Sequence, residues 1–419
     1  MNLKKNITSN GFLFAVVMWL SSRIVIIIAM LLIAPSLPVP SDASAATFSW
    51  DVFSAWDSEW YRKIVTYGYE YINDGKQHSI AFFPLFPLLI RAIMSFGLSF
   101  EMAGTLLNNL AFLAALIVLY VWVEERNGKS AARWTTAVLA WCPYSIYSTV
   151  IYTEGLFLLC STAALRAFDK QQYTWVAFWG ALSTATRSPG LALIPAFLFA
   201  SWQQRRGIKA YIASLAVGLG VFLYSLYCQI QFGDALAFVH VQKGWRTSAG
   251  FAWQGWLMML RKITLGNAYW QFTNIQDLWY PLLLMMIIVS GFLLWRFRQQ
   301  LGYIKVRYGF YLLWFFMWFL AEDELVRFVL IFGGLLLLWF SRAKIPLAAV
   351  VYGFFSYALI LNTGLTASVE RYAYGIVSLS FAFGLLLARY PRWGYAVIIF
   401  FAIFLANLSV QFAQNQWIA

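Results

Sequence analysis

The sequence has 419 residues, of which 62% are hydrophobic, 19% aromatic and only 11% charged; with a mean hydropathy of +0.68, this excludes a soluble domain and describes a polytopic membrane protein. The formal charge of +13 gathers into no stripe or tail but punctuates apolar runs, so no nucleic-acid partner is expected. Cys142, Cys160 and Cys228 lie within or beside apolar segments, an odd set that gives neither a disulfide framework nor a metal knuckle.

The N-terminal MNLKKNITSNGF and the apolar run after it lack a small-residue cleavage site, so the first helix, 12–34, is read as retained. Spans of roughly 20 apolar residues are then expected at 103–123, 132–148, 152–168, 173–187, 189–203, 210–231, 278–296, 308–321, 326–340, 345–362, 373–388 and 394–412, about 13 transmembrane helices in all. Runs such as LLLMMIIVSGFLLW are apolar on every face, unlike the alternation of a barrel strand. One domain, 1–419, is expected, with a first external loop at 35–102 and a second large one at 232–277, neither long enough for an ordinary independent core.

The basic residues orient this bundle. With the N-terminus cytoplasmic, eighteen of the 30 Lys and Arg residues fall on that side, against only Glu124, Glu125 and Asp169 among the acids; this is the positive-inside pattern. Reading 173–203 as one helix would invert every later segment. Two short spans meeting at Arg187-Ser188-Pro189-Gly190 fit better, and such a junction sinks into the outer half of the membrane and lines a polar cavity.

Most remaining acids then sit on the external side, so reactions are expected there. In AWDSEWYRKIVTYGY, Ala55–Tyr69, the residues Trp56, Trp60 and Ile64 fall at i, i+4 and i+8, the spacing of one helical face lying flat in the headgroup boundary. AFFPLFPLLIRAIMSF opens with prolines and continues as a second membrane-skimming helix.

At these residues the chain resembles a known family. WDSEWYRKIVTYGY followed by HSIAFFPLFPLLIR is similar to the first luminal loop of the PIG-V-like mannosyltransferases of the GT-C superfamily. YTEGLFLL (Tyr152–Leu159), ATRSPG (Ala185–Gly190), FGDALAFVHVQKGWR (Phe232–Arg246) and SVERY (Ser368–Tyr372) resemble later blocks in the same order. One departure is Glu370, where a small or proline-like residue is expected before Arg-Tyr.

The resemblance implies an all-α GT-C-like bundle that moves mannose from a polyprenyl-phosphate donor to an acceptor hydroxyl, with inversion, on the non-cytoplasmic face. The acceptor is a glycolipid or another hydroxyl, membrane lipids are the surroundings, and the chain is expected to be monomeric. The host membrane is the plasma membrane of a prokaryote or the endoplasmic reticulum of a eukaryote. No cofactor and no metal are expected, since polyprenyl-phosphate-using relatives are regarded as metal-independent and nothing in the spacing of His78 and His240 makes them converge.

The resemblance puts the family's loop-one aspartate on Asp57. A polyprenyl phosphate leaves as a stable anion, so one base and a cation for the phosphate suffice, whereas a glycoside hydrolase needs two carboxyl groups. Asp57 is therefore assigned as the base, the rival reading being a cap or a pair with Arg62 or Lys63. Glu154 either binds sugar hydroxyls or caps the following helix. Arg187 either meets the donor phosphate or pairs with an acid such as Glu154. Arg371 is a phosphate ligand or a snorkelling anchor. Lys243 and Arg246 attract anionic headgroups or anchor the surface, and Glu59 and His78 complete the substrate-binding set. Arg23, midway through the first helix, needs a partner that the sequence does not name. A lipid transporter or flippase, or a noncatalytic assembly subunit, would share the helices; a transporter places its ionisable groups near the midplane, and the subunit would tolerate loss of Asp57.

Overall fold

The computed structural model describes residues 9–41, 43–245, 253–266, 279–363 and 368–418. Regular structure among them is helical, as apolar runs in lipid demand, because each backbone polar group must find its partner within its own segment. Helix α1 (Ser9–Ile28) runs through a π turn, Ala29–Ile33, to a stop at Pro35. In the first expected loop lie α2 (Asp57–Tyr67) and α3 (Leu85–Met94). Helix α4 (Phe100–Asn127) starts where the Ser99 hydroxyl accepts from the Met102 N–H and stops at Gly128, whose φ of 87° suits glycine. Helix α5 (Lys129–Trp141) ends because Pro143 follows Cys142, and a 3₁₀ turn, Pro143–Ser148, leads to α6 (Glu154–Asp169). After these come α7 (Tyr173–Thr186), α8 (Leu193–Gln203), α9 (Ile208–Ala216) and α10 (Leu219–Phe232).

Six helices among the described residues are long and apolar enough to cross a bilayer, or seven if α9 and α10, bent by 40°, form one span. The chain is thus an integral multi-pass membrane protein. The expected count of 13 is not reached by this length test, because several expected crossings are short: α6, α7 and α8 have 16, 14 and 11 residues. Breaks at Pro143 and at Arg187–Gly190 take up residues that would otherwise lengthen them.

The chain forms two compact units. The first comprises residues 1–248, 335–359 and 371–419, and the second 249–334 and 360–370. At the heart of the first lie α4, α5 and α6, with Val377–Arg389 against α5 and α7 against α6. Small residues permit this closeness. A methyl on Gly155 of α6 would lie 2.4 Å from the backbone oxygen of Asn108 in α4, and one on Gly384 would lie 2.1 Å from the Thr135 hydroxyl of α5. The ends of α6 differ in charge pattern. At its C-terminal end Arg166 and Lys170 meet Glu125, and Arg126 meets Asp169; its N-terminal end holds the candidate site.

In the second unit, Trp253–Leu265 packs beside Tyr303–Phe328 through Met259, Ile263, Ala321 and Leu325. The long helix kinks at Glu322, whose φ is 46°. Glu324 accepts from Lys262 and Arg327 at 3.2 Å each, and Arg327 also donates to Glu370 at 2.9 Å. Glu370, the departure from the family pattern, thus serves an ion pair.

One expectation about α2 needs correction. Trp56 lies outside the helix, at φ 57°, and the side buried in protein is Ser58, Tyr61, Ile64 and Val65. Ile64 therefore faces the core instead of the headgroup boundary, while Trp60 packs on Phe82 and Trp245. The reason is that α2 finds a protein partner, α3 with the Ser79–Ala81 turn, for a face that the sequence alone would leave to lipid.

Candidate active site

The Pro143 break supplies the site's floor. Asn108, fully buried in α4, donates from Nδ2 to the carbonyls of Tyr147 (2.8 Å) and Val150 (2.7 Å) and accepts at Oδ1 from the Gly155 N–H (2.8 Å). One amide thus binds three backbone groups around the break, of which the Val150 carbonyl also accepts from the Tyr152 N–H at 2.7 Å. Arg23 holds the other side. Its guanidinium donates to the carbonyls of Ala140 and Ser145 and to the hydroxyls of Ser145 and Thr149, with the Phe112 ring 4.8 Å away. The partner missing from the sequence reading is therefore the 3₁₀ turn after α5, with the Ala140 carbonyl of α5 itself; no carboxylate pairs with Arg23 among the described residues.

The chain clamped in this way carries Tyr152 and Glu154. The Ser58 hydroxyl of α2 donates to the Ile151 carbonyl (3.1 Å), and the Ile151 N–H donates to the Phe53 carbonyl (3.1 Å). The Tyr152 hydroxyl then accepts from the backbone N–H of Asp57 (3.2 Å). The start of α2 is thereby fixed relative to the start of α6, with Asp57 and Glu154 each in a first helical turn, where negative charge is favoured.

Four charged groups meet here. Arg371, on the short helix Val369–Tyr374, donates from Nη1 to Asp57 Oδ2 at 2.9 Å, and its Nε lies 3.3 Å from Glu154 Oε1. Arg187 donates from Nη1 to the same Glu154 oxygen. Arg187 is placed by the end of α7, where Gly190 lets the following turn fold back: a methyl there would lie 2.8 Å from the Ser183 backbone. The rings of Tyr147, Tyr152 and Tyr372 lie 5.2 to 5.4 Å from the Arg371 guanidinium. Two carboxylates and two guanidiniums, each in its ordinary charge state, sum to zero, so the buried Glu154 has cations beside it instead of standing alone. Side-chain exposure is 0% for Glu154, 9% for Arg371, 13% for Arg187 and 23% for Asp57, so Asp57 is the member most open to an incoming molecule.

Asp57, Glu154, Arg187 and Arg371, singled out separately in the sequence, thus form one cluster. Neither rival partner takes Asp57: Arg62 donates to Glu101 (2.5 Å) and Ser54 (3.0 Å), and the Lys63 ammonium lies over the Trp60 ring. Arg187 and Glu154 pair with each other. The remaining candidates stand apart. Glu59 is exposed and faces Arg62 Nε at 3.6 Å. His78 meets Asp74 at 2.7 Å, and this contact, with the Lys76 N–H, holds the Asp74 carboxyl below its usual range. No hydrogen bond or ion pair among the described residues joins His78 or Lys243 to the four. Arg246 lies outside the described residues. No group of three or more metal-ligating side chains occurs among the described residues.

Tyr152 and Asn108 were missed in the sequence. Tyr152 gives no signal, because its role rests on a contact 95 residues away. Asn108 gives one: an amide within the apolar stretch LNNLAFL is costly in lipid without partners, so its presence points to a buried task.

Comparisons with known proteins bear on this geometry. Residues 12–215 match the family model described as Mannosyltransferase (PIG-V), which bears out the PIG-V-like resemblance over that stretch. The human GPI alpha-1,6-mannosyltransferase 2 is 24% identical over 254 residues, 52% of this chain and 50% of that protein, so the match spans about half the length of the curated relative. Among solved structures, archaeal oligosaccharyltransferase AglB from Archaeoglobus fulgidus, in complex with an inhibitory peptide and a dolichol-phosphate, aligns over 98% of this chain and 56% of its own with a TM-score of 0.50 at 12% identity. ArnT from Cupriavidus metallidurans, bound to undecaprenyl phosphate, aligns over 91% of this chain and 61% of its own at 0.48 and 13%. The fold is that of a GT-C-like helical bundle.

Proposed function

We propose that this chain, PIG-V-like through its first half, is a membrane mannosyltransferase that takes mannose from a polyprenyl-phosphate donor and passes it to an acceptor hydroxyl on the non-cytoplasmic face. Asp57 is the base. It removes the acceptor proton as the acceptor oxygen attacks the anomeric carbon from the side opposite the phosphate. The new C–O bond forms as the bond to the phosphate oxygen breaks, the electron pair leaves with the phosphate, and the sugar is inverted. Arg371 and Arg187 receive the growing negative charge on the leaving phosphate, and Glu154 holds both guanidiniums in place.

The observation that carries this reading is the Asp57–Arg371 contact at 2.9 Å: one accessible carboxylate beside a buried cation is what a reaction with a phosphate leaving group requires. The family match over residues 12–215 supports the sugar. The AglB complex contains a dolichol-phosphate, in keeping with a lipid-phosphate donor. The excess of Lys and Arg at the Asp169 end of α6 supports the orientation. Two guanidiniums supply the positive charge that a divalent ion would otherwise bring, so the reaction is expected to proceed without a metal.

The test is transfer of labelled mannose from a polyprenyl-phosphate mannose to lipid acceptors by purified protein in nanodiscs. Asp57→Asn is expected to lower turnover by at least about a hundredfold, in the range of a general base, with the melting temperature retained. Full turnover by a folded Asp57→Asn protein would defeat the assignment, and lipid movement without a new glycosidic bond would favour a flippase.

A further inference from the structure

A cavity of about 550 Å³ has Trp56, the residue before Asp57, in its lining. Asp51, Ser54 and Trp56 line it from the chain leading into α2 and Glu59 from α2 itself, with Thr47 before them and Asn415 from the C-terminal end. Its volume lies in the range of small-molecule sites. Its wall reaches the base by a single peptide bond, since Trp56 immediately precedes Asp57. Trp56 is 38% exposed and is held by an edge contact with Trp417 at 5.1 Å, so an indole borders the space.

The signs of charge divide the region in two. The guanidiniums of Arg371 and Arg187 are balanced by Asp57 and Glu154, whereas the cavity lining holds, among the described residues, two carboxylates and no Lys or Arg. Among the described residues Asp51 Oδ2 accepts from the Ser49 hydroxyl at 2.9 Å, and Glu59 Oε1 has the Ser54 hydroxyl at 3.5 Å. Arg62 stands behind Glu59 at 3.6 Å, but its shorter bonds go to Glu101 and Ser54. Carboxylates with spare lone pairs, flanked by hydroxyls, an amide and an indole, suit a ligand rich in O–H or N–H donors with apolar ring faces. They repel an anion.

We propose that this cavity is the acceptor subsite, and that it takes a hydroxyl-rich sugar headgroup that is uncharged or amine-bearing and rejects a phosphorylated one. The inference rests on the transferase reading of Asp57 for its name as acceptor, but its chemistry of recognition is independently measurable. Donor and acceptor are then sorted by charge: the lipid phosphate goes to the guanidiniums and the neutral or cationic sugar to the carboxylates, with Asp57 at the boundary where the two must react.

The experiment uses the full chain in nanodiscs and three soluble probes: octyl mannoside, octyl glucosaminide and octyl glucoside 6-phosphate. Saturation-transfer NMR without donor reads binding, and transfer assays with donor read acceptor and donor KM. The first two probes are expected to bind, and the phosphorylated one at least about tenfold more weakly. The double substitution Asp51→Asn with Glu59→Gln is expected to weaken binding of the first two, and to raise their acceptor KM, by roughly tenfold, the loss typical of hydrogen bonds to charged groups. It should also narrow the discrimination against phosphate and leave donor KM and melting temperature unchanged. Equal binding of all three probes, or unchanged binding in the double variant, would overturn the proposal. Binding as expected with no transfer would count against Asp57 as base and leave the subsite standing; normal transfer with unchanged acceptor KM in the double variant would count against the subsite alone.

Discussion

Replacing Arg371 by lysine keeps its charge and removes its geometry. In the structure two different nitrogens serve two different carboxylates, Nη1 to Asp57 at 2.9 Å and Nε beside Glu154 at 3.3 Å. A lysine ammonium is a point donor on a flexible stem and cannot span both in the fixed spacing of a guanidinium. An ammonium drawn toward Glu154 strains or loses the one charge-assisted hydrogen bond, that to Asp57, about 1.5–3 kcal/mol, which at 1.4 kcal/mol per factor of ten corresponds to a roughly ten- to hundredfold fall in kcat/KM for the donor. Arg371→Ala should do worse in a second respect, because it leaves the cluster with a net negative charge; breaking one partner of a buried pair costs about 3–5 kcal/mol of stability. The assay is initial rate against polyprenyl-phosphate mannose in nanodiscs, with thermal unfolding of both variants. A folded Arg371→Lys protein with the kcat/KM of the parent would refute the idea that the fork-shaped contact matters for the donor.

Other outcomes follow from the same framework. Asn108→Ala removes the acceptor of the Gly155 N–H and one donor each from the Tyr147 and Val150 carbonyls, of which Val150 keeps the Tyr152 N–H at 2.7 Å; at about 1–3 kcal/mol for an unsatisfied buried group, a drop in melting temperature is expected, together with a fall in kcat, and an unchanged melting curve would reject the clamp. Gly155→Ala, whose methyl would lie 2.4 Å from a backbone oxygen, should misplace Glu154 and lower turnover; retention of wild-type kinetics would show that α4 and α6 can separate freely. Chelator is expected to leave transfer unaffected, and restoration of lost activity by one divalent ion would contradict this. Asp234, bonded by His240 and Tyr71, is held below the ordinary carboxylate range. Its contribution to stability is thus full above the unfolded value of about 3.9 and is lost as pH falls through the lower folded value. The melting-temperature gap between parent and Asp234→Asn should close as pH falls below about 4; a gap that widens over that range would reverse the sign of the argument.

Much of the architecture could be read from the chain because hydropathy and charge act locally. The apolar runs form helices, and the Pro143 and Pro189 neighbourhoods break them where ring geometry forbids continuation. Membership of the charged cluster was also legible residue by residue, since an isolated Arg or Glu in an apolar setting is costly and so conspicuous. Its pairing was not. Asp57 and Arg371 are 314 positions apart, and no periodicity carries information over that distance. The face of α2 was misread for a related reason: helical spacing gives the stripe, but whether protein or lipid covers it depends on partners that packing alone supplies. The positive φ of Trp56, at 57°, is equally invisible, because a bulky residue gives no local hint of it.

The shortness of α6 has a mechanical corollary. Sixteen residues rise only about 24 Å, several ångströms less than a typical hydrocarbon slab of roughly 30 Å. A helix of that length set across the slab would hold Glu154, at its N-terminal end, below the level of the surrounding headgroups unless the membrane thins around it. For a polyprenyl donor this shortens the journey: the isoprenoid tail stays among the acyl chains while its phosphate slips sideways to Arg371. Under the proposed transfer reaction, vesicles of longer acyl chains are then expected to slow turnover although no residue has been changed.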